Sequence, residues 1–166
     1  MSTKVCLNHQ LIAARRMTER LLADFHTPEQ WTKQVQSQCN HALWFAGHMA
    51  HTDNFMISIL DPTQSRKIEG FAERFGTGSV PSPNAADYPP PEEVMAVMRE
   101  RREKLLSLLD QKSDEDLAKP TPKGTPEFIP DYAAIFGTVV WHEGLHSGQL
   151  TVLRKVLGLA PVMGAP

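Results

Sequence analysis

This sequence of 166 residues contains few cysteines and no excess of basic residues. The two cysteines, Cys6 and Cys39, form no CxxC pair, so we expect no structural disulfide and two small, packed side chains. Lysine and arginine number 17 against 19 aspartate and glutamate residues, for a formal net charge of −2. This balance indicates no basic face of the kind that nucleic acid requires.

Long apolar segments are also missing. The run from Ala133 to Trp141 is far shorter than the roughly 20 residues that span a membrane. The first residues, 1–6, lack the apolar core of a signal peptide. We therefore expect a cytoplasmic protein without membrane contact. The length and the hydrophobic fraction of 41% suit a single domain over residues 1–166.

Apolar residues recur at steps of three and four in four segments, and no segment alternates like a strand. Helices are predicted near residues 3–25, 40–60, 91–112 and 131–157. The core-facing row of the second helix is expected to include Phe55. The pattern predicts an all-α protein, an antiparallel four-helix bundle.

The connections between these helices are unequal. Residues 61–90 are rich in glycine and proline and predict a long loop between the second and third long helices. Residues 120–130 contain four prolines and predict a second irregular segment. Long loops in compact domains are commonly functional, so we expect both segments to fold toward a binding site as lids.

Two histidines stand four residues apart in the last predicted helix. His142 and His146 therefore lie one turn apart on one face, a spacing that suits a shared divalent metal ion. That face is the apolar one, as its row of residues indicates: Ile135, Val139, His142, His146, Leu150, Leu153 and Leu157. The alternative is two hydrogen-bonded core histidines without a metal.

A third ligand has to come from another helix. His48 is the best donor, because it lies in the middle of the core-facing row of the second long helix. Three neutral imidazoles leave coordination positions open, as in catalytic sites, and suit zinc, nickel and iron alike. His41 and His51 lie near the same face and are expected to line a pocket rather than to bind the metal.

The segment from His142 to His146 also spells HExxH, in which the glutamate of zinc proteases is the general base. Those enzymes take their third ligand downstream, but residues 147–166 contain no Asp, Glu or His. The protease interpretation is therefore disfavoured. Glu143 remains a candidate catalytic base for a metal-activated water, and the alternative is a helix-packing or solvated residue.

Two blocks resemble the DinB-like superfamily of metal-binding four-helix bundles. The blocks are Asn40…Trp44-x3-His48 and His142-x3-His146-x-Gly148-Gln149, in family order along the whole chain. The resemblance implies His48, His142 and His146 as metal ligands. It also implies one of two activities, since the family includes S-transferases and isomerases that use small thiols such as bacillithiol or mycothiol, and metal-dependent hydrolases. Dimers are common in the family, so a homodimer is an expected assembly.

We therefore expect a divalent-metal enzyme that transfers a small thiol to an electrophilic small-molecule substrate. The alternatives are a hydrolase that activates water and a non-catalytic protein that binds a metal or a small ligand. In the thiol-transfer interpretation no protein cysteine takes part in the reaction.

Overall fold

The structure, a computed structural model, describes residues 2–163. These residues form seven α-helices and no strand, which confirms the all-α prediction. The helices are α1 (Thr3–Leu22), α2 (Pro28–Trp31), α3 (Ala42–Leu60), α4 (Phe71–Phe75), α5 (Pro91–Asp110), α6 (Asp114–Leu117) and α7 (Tyr132–Val156). The four predicted helices are confirmed as α1, α3, α5 and α7, and no boundary differs by more than three residues. No helix in the described part of the chain is both long and apolar enough to cross a membrane.

Side chains that precede the long helices fix where the helices begin. Ser2, His41 and Asp131 are the N-cap residues of α1, α3 and α7, and each side chain accepts a hydrogen bond from a backbone N–H in the first turn. Pro91 opens α5 at a position where its missing N–H costs no helical hydrogen bond. The capped starts of α3 and α7 set the positions of the histidines that follow.

The four long helices pack in a closed ring of neighbours, α1 against α7, α7 against α3, α3 against α5 and α5 against α1. Two apolar clusters fill the space between them. One contains Leu22, Trp44, Phe75, Met98 and Leu150, and the other contains Leu11, Ile57, Leu105, Phe136 and Val139. Each long helix contributes apolar residues to both clusters, so the core extends along the length of the helices.

A layer of buried charge separates the two apolar clusters. Each long helix supplies one member, and we call the set the charged layer: Arg15, Asp53, Arg102 and Glu143. Arg102 donates to both carboxylate oxygens of Asp53, at 2.9 and 3.0 Å. Arg15 donates to Asp53 at 3.1 Å and to Glu143 at 2.8 Å. Because the two cations face two anions, the layer carries no net charge and joins all four long helices.

The segment at residues 61–90 is not a structureless loop, which corrects the sequence prediction. It contains α4 and a short 3-10 helix at Ala85–Asp87. Phe71 and Phe75 lie four residues apart and are both buried in the core. A helix of five residues is too short for its periodicity to be recognised in the sequence, and its burial against α3 stabilises it instead.

Two individual side chains also differ from their predicted burial. Cys39 is exposed, because it lies in the irregular segment before α3 and not in a helix. Phe55 was expected in the core-facing row but is 43% exposed, and Asp53, Met56 and Ile57 occupy the buried face at that level. The buried face of this half of α3 thus includes Asp53 of the charged layer, a carboxylate that the apolar pattern did not predict there.

Candidate metal centre

Three histidines from two helices meet at one point. His48 of α3 and His142 and His146 of α7 each offer a ring nitrogen, and these atoms all lie within 4.8 Å of one another. The Nε2 atom of His142 lies 3.1 Å from Nε2 of His48 and 3.1 Å from Nε2 of His146. The structure thus brings together the three residues that the sequence predicted as ligands.

A backbone carbonyl sets the protonation of His48. Its Nδ1 lies 2.6 Å from the carbonyl oxygen of Phe75, which can only accept a hydrogen bond. Nδ1 therefore carries the proton of the neutral ring, and the Nε2 lone pair faces the other histidines. Gly47 makes this contact possible, because a Cβ at this position would lie only 2.4 Å from the ring of Phe75. α4 can therefore approach α3 only where the residue before His48 has no side chain.

A glutamine has the same role at His146. Nδ1 of His146 lies 3.0 Å from Oε1 of Gln149, one turn further along α7. The same oxygen accepts a hydrogen bond of 3.1 Å from the side-chain amide of Asn40, which supports its assignment as oxygen. The ring of His146 is therefore protonated at Nδ1 as well, and its Nε2 lone pair also faces His142.

These assignments leave more lone pairs than protons at the centre. His48 and His146 both present an unprotonated Nε2, and the Nε2 of His142 can donate its one proton to only one of them. Two nitrogens bound to one tetrahedral ion are separated by roughly 3.3 Å, given bond lengths near 2.0–2.1 Å. The observed spacing of 3.1 Å is close to that value, so the donor set fits a divalent cation.

The surroundings keep the three imidazoles neutral. The pKa of His48 is lowered to about 4, mainly by burial and to a smaller extent by the neighbouring His142 and His146, although the Phe75 carbonyl opposes the shift. Burial and the adjacent His146 lower the pKa of His142 to about 4. Burial also lowers the pKa of His146, against the hydrogen bond to Gln149. Neutral imidazoles are the form that binds a metal ion without first releasing a proton.

An aromatic side chain covers the centre. The Trp44 ring stacks on the His48 ring at a centroid distance of 4.4 Å and an interplanar angle of 18°. Its indole Nε1 donates a hydrogen bond of 2.8 Å to the Ser79 hydroxyl, in the connection after α4. Trp44 therefore restricts rotation of the His48 ring. It also connects the segment after α4 to the three histidines.

The remaining candidate residues lie in different surroundings. Glu143 is 1% exposed and belongs to the charged layer, where Arg15 donates to Oε1 and Nη1 of Arg102 forms an ion pair with Oε2 at 2.7 Å. Burial alone would raise the pKa of Glu143, but the two guanidinium groups outweigh it and hold the pKa below its ordinary value. His41 caps α3 through Nδ1, and its Nε2 contacts the Ser82 carbonyl oxygen at 3.0 Å, so both ring nitrogens are engaged away from the triad.

A cavity of about 530 Å³ adjoins the triad at His142. His51, one turn beyond His48 on α3, lines it, and burial lowers the pKa of this histidine below its ordinary value. Gly76 and Thr77 from the first irregular segment and Phe128 from the second complete its wall. Both segments that the sequence predicted near the site therefore contribute to this cavity, and their movement as lids stays a prediction.

Sequence reasoning missed the residues that orient the three histidines. Phe75 acts through its backbone carbonyl, which no side-chain pattern reveals, and Gly47 acts through an absent side chain. Gln149 carried a signal, since it follows His146 by three residues and so lies on the same helical face. Arg15 and Arg102 carried one too, as charged residues in otherwise apolar helical rows.

The fold and the site together define a class of protein, an all-α chain with three histidines placed to hold a metal ion. The sequence matches the model of the DinB superfamily over residues 10–150. The chain therefore belongs to the DinB superfamily. No curated protein matches the sequence significantly.

Proposed function

We propose that this protein is a divalent-metal-dependent enzyme that transfers a small thiol to an electrophilic substrate. Its four long helices would form the antiparallel bundle expected of one domain, with His48, His142 and His146 holding the ion. When bound, a divalent ion in such a site lowers the pKa of a thiol or of a water molecule that it coordinates. The observation that carries the proposal is the convergence of three Nε2 atoms beside a cavity of about 530 Å³.

The surrounding residues prepare the three histidines for this role. The Phe75 carbonyl and the Gln149 amide oxygen hold the Nδ1 protons of His48 and His146, so these rings present their Nε2 lone pairs without rearrangement. Trp44 limits the rotation of His48. Three neutral ligands leave the full charge of a divalent ion in place, and this charge favours binding of an anion such as a thiolate.

The position of Glu143 favours thiol transfer over hydrolysis. A hydrolase that activates water needs a base at the site, and Glu143 is the only acid next to a proposed ligand in sequence. Both of its carboxylate oxygens contact guanidinium groups of Arg15 and Arg102. We propose that Glu143 holds the position of α7 and takes no proton from a substrate.

The proposed reaction is balanced without a protein nucleophile. With 1-chloro-2,4-dinitrobenzene as the model electrophile, the thiol sulfur forms a bond to the ring carbon, and chloride leaves with the electron pair of the broken carbon–chlorine bond. The thiol proton passes to the buffer. Cys6 and Cys39 are not required, and Cys39 is exposed outside the site.

Elemental analysis of the purified protein followed by a thiol panel tests this proposal. We expect about one zinc, nickel or iron ion per chain. Bacillithiol, mycothiol and glutathione, each with the model electrophile, should reveal at least one active thiol, and this thiol should alter the visible spectrum of cobalt-substituted protein. The absence of both turnover and a spectral change with every thiol would contradict the proposal and leave a metal-binding protein.

Substitution of Glu143 by glutamine separates the two chemistries. Thiol transfer should fall by less than about tenfold, whereas base-assisted hydrolysis should fall by about a hundredfold or more. A large loss of thiol transfer in folded, metal-loaded Glu143→Gln would show that Glu143 acts in the reaction.

The single domain over residues 1–166, the cytoplasmic location and the homodimer also stay proposals. Sedimentation equilibrium of the full chain, with and without metal, tests the assembly. A monomer at micromolar concentrations would remove the homodimer from the proposal.

A further inference from the structure

The cavity beside His142 has an unusual wall. Three large apolar side chains that line it are exposed to solvent, Phe55 at 43%, Phe128 at 67% and Trp141 at 65%. They come from three separate parts of the chain, α3, the segment before α7, and α7 itself. Exposed apolar groups gathered at one concave site are typical of a ligand-binding surface.

This aromatic wall adjoins the histidine triad. The indole of Trp141 lies next to His142 in sequence, and their ring centroids are 6.5 Å apart. A molecule that contacts Trp141 in the cavity is therefore also next to a proposed metal ligand. The volume of about 530 Å³ accommodates a small molecule with an aromatic ring.

The cavity offers no charged partner. None of the described residues that line it is lysine, arginine, aspartate or glutamate. Its polar groups are the imidazoles of His51 and His142 and the hydroxyls of Thr52, Thr77 and Thr138. A charged ligand would lose hydration there without gaining a counter-ion from the lining side chains, which is unfavourable, whereas hydroxyls can bind neutral polar groups.

We propose that this cavity binds the electrophilic substrate and selects uncharged molecules that carry an aromatic ring, with Trp141 and Phe128 as the main contacts. The assignment of the bound molecule as the electrophile rests on the proposed function. The selection itself depends only on the wall of the cavity.

Three probes of one shape and different charge test the selection. They are 2-naphthamide, 2-naphthoate and 2-naphthylmethylammonium, titrated calorimetrically at pH 7.5 into the full-length protein as purified and after chelation. The chelated protein is needed because a carboxylate can bind a metal ion directly. We expect the neutral amide to bind at least about tenfold more tightly than either charged probe after chelation. Equal affinities, or tighter binding of a charged probe, would overturn the proposal.

Variants locate the binding site. Trp141→Ala and Phe128→Ala should each weaken binding of the amide by at least about fivefold. Val152→Ala is the matched control, since Val152 is 50% exposed on the same helix as Trp141 but does not line the cavity. Loss of affinity in the control equal to that in Trp141→Ala, or unchanged affinity in both wall variants, would show that the probes bind elsewhere.

A charge placed in the wall provides a gain-of-function check. Thr138→Lys adds a cation beside Trp141, so 2-naphthoate should gain at least about tenfold in affinity relative to the amide. An unchanged preference in folded Thr138→Lys would contradict the assigned cavity.

The outcomes separate this inference from the proposed function. Binding of the neutral probe without thiol turnover would support the selectivity of the cavity and contradict the proposed thiol transfer. Thiol turnover at equal rates with iodoacetate and iodoacetamide, without binding of 2-naphthamide, would support thiol transfer. It would overturn the selection of uncharged molecules by the cavity.

Discussion

Two buried polar clusters lie side by side in this protein and differ in how their groups are satisfied. In the charged layer two guanidinium groups face two carboxylates, so every charge has a partner within the chain. In the triad three imidazoles face one another, and their lone pairs outnumber the protons between them. α7 contributes to both clusters, and its consecutive residues His142 and Glu143 belong to different ones, because their side chains diverge by roughly 100° around a helix.

The difference separates a cluster whose charges are paired within the chain from one whose donors fit a cation. Buried charges are stable when they are paired, and a cluster whose charges are paired within the chain needs no counter-ion from outside. A cluster of converging acceptors can be satisfied by a cation instead. The residues of the HExxH pattern are close in sequence but belong to different clusters. The two histidines lie in the triad and the glutamate lies in the charged layer, so the pattern does not place the glutamate beside the histidine nitrogens.

The largest expected effect comes from removing a triad member. His142→Ala should lower the bound metal to less than about a tenth of that in the wild type, because two neutral ligands hold an ion weakly. Chelation should lower the melting temperature of the wild type but not that of the variant. Inductively coupled plasma mass spectrometry and thermal unfolding measure both. His51→Ala is the control, and full metal retention in His142→Ala would refute the triad.

Breaking the charged layer should reduce stability without removing the metal. Glu143→Gln leaves two buried cations with one carboxylate and is expected to lower the free energy of unfolding by about 3–5 kcal/mol. Glu19→Gln breaks an exposed pair with Arg99 and should cost less than about 1 kcal/mol. Urea denaturation and metal analysis distinguish the clusters. If Glu143→Gln lost its metal while remaining stable, the two clusters would not be separate.

The dependence of the free energy of unfolding on pH, between pH 3 and 7, gives a second measure of the charged layer. The pKa of Glu143 is lower in the folded protein than its ordinary value of 4.5, so its ion pairs stabilise the fold above that pH. The stability lost in Glu143→Gln should be constant near neutral pH and should shrink as the pH falls below about 4.5, toward the folded pKa. Urea denaturation of both proteins between pH 3 and 7 measures this, and a difference independent of pH would contradict it.

Gly47 allows α4 to pack closely against α3, next to His48 of the triad. Gly47→Ala introduces a Cβ against the Phe75 ring and should cost about 1–3 kcal/mol of stability and weaken metal binding. Gly137→Ala, in a helix with open space around that position, should be neutral or stabilise by up to about 1 kcal/mol. Equal behaviour of the two variants in denaturation would show that the contact with Phe75 has no role.

The smallest expected effect concerns the orientation of one ligand. Gln149→Ala removes the acceptor of the His146 Nδ1 proton and should weaken zinc binding by about tenfold. Gln10→Ala, at an exposed position of α1, should leave the affinity unchanged. Competition with a chromophoric chelator measures the affinities, and equal values for both variants would assign no role to Gln149.

Residues close in sequence were sufficient to predict much of this protein. The four long helices and the pairing of His142 with His146 follow from spacing along one helix, because residues three and four apart share a face. His48 was also predictable, as a polar residue in the middle of an apolar row. The family match over residues 10–150 agrees with the motifs in which these histidines lie.

Only the tertiary structure decided the rest, since it depends on residues far apart in the chain. The charged layer joins Arg15 to Glu143 across 128 residues, and no local pattern shows that one partner will find the other. α4 is too short to form by itself and exists because it packs against Gly47, which in turn brings the Phe75 carbonyl to His48. Helical spacing determined which residues share a face, whereas packing between helices decided which of those faces meet and hence which side chain joined the histidine triad and which joined the charged layer.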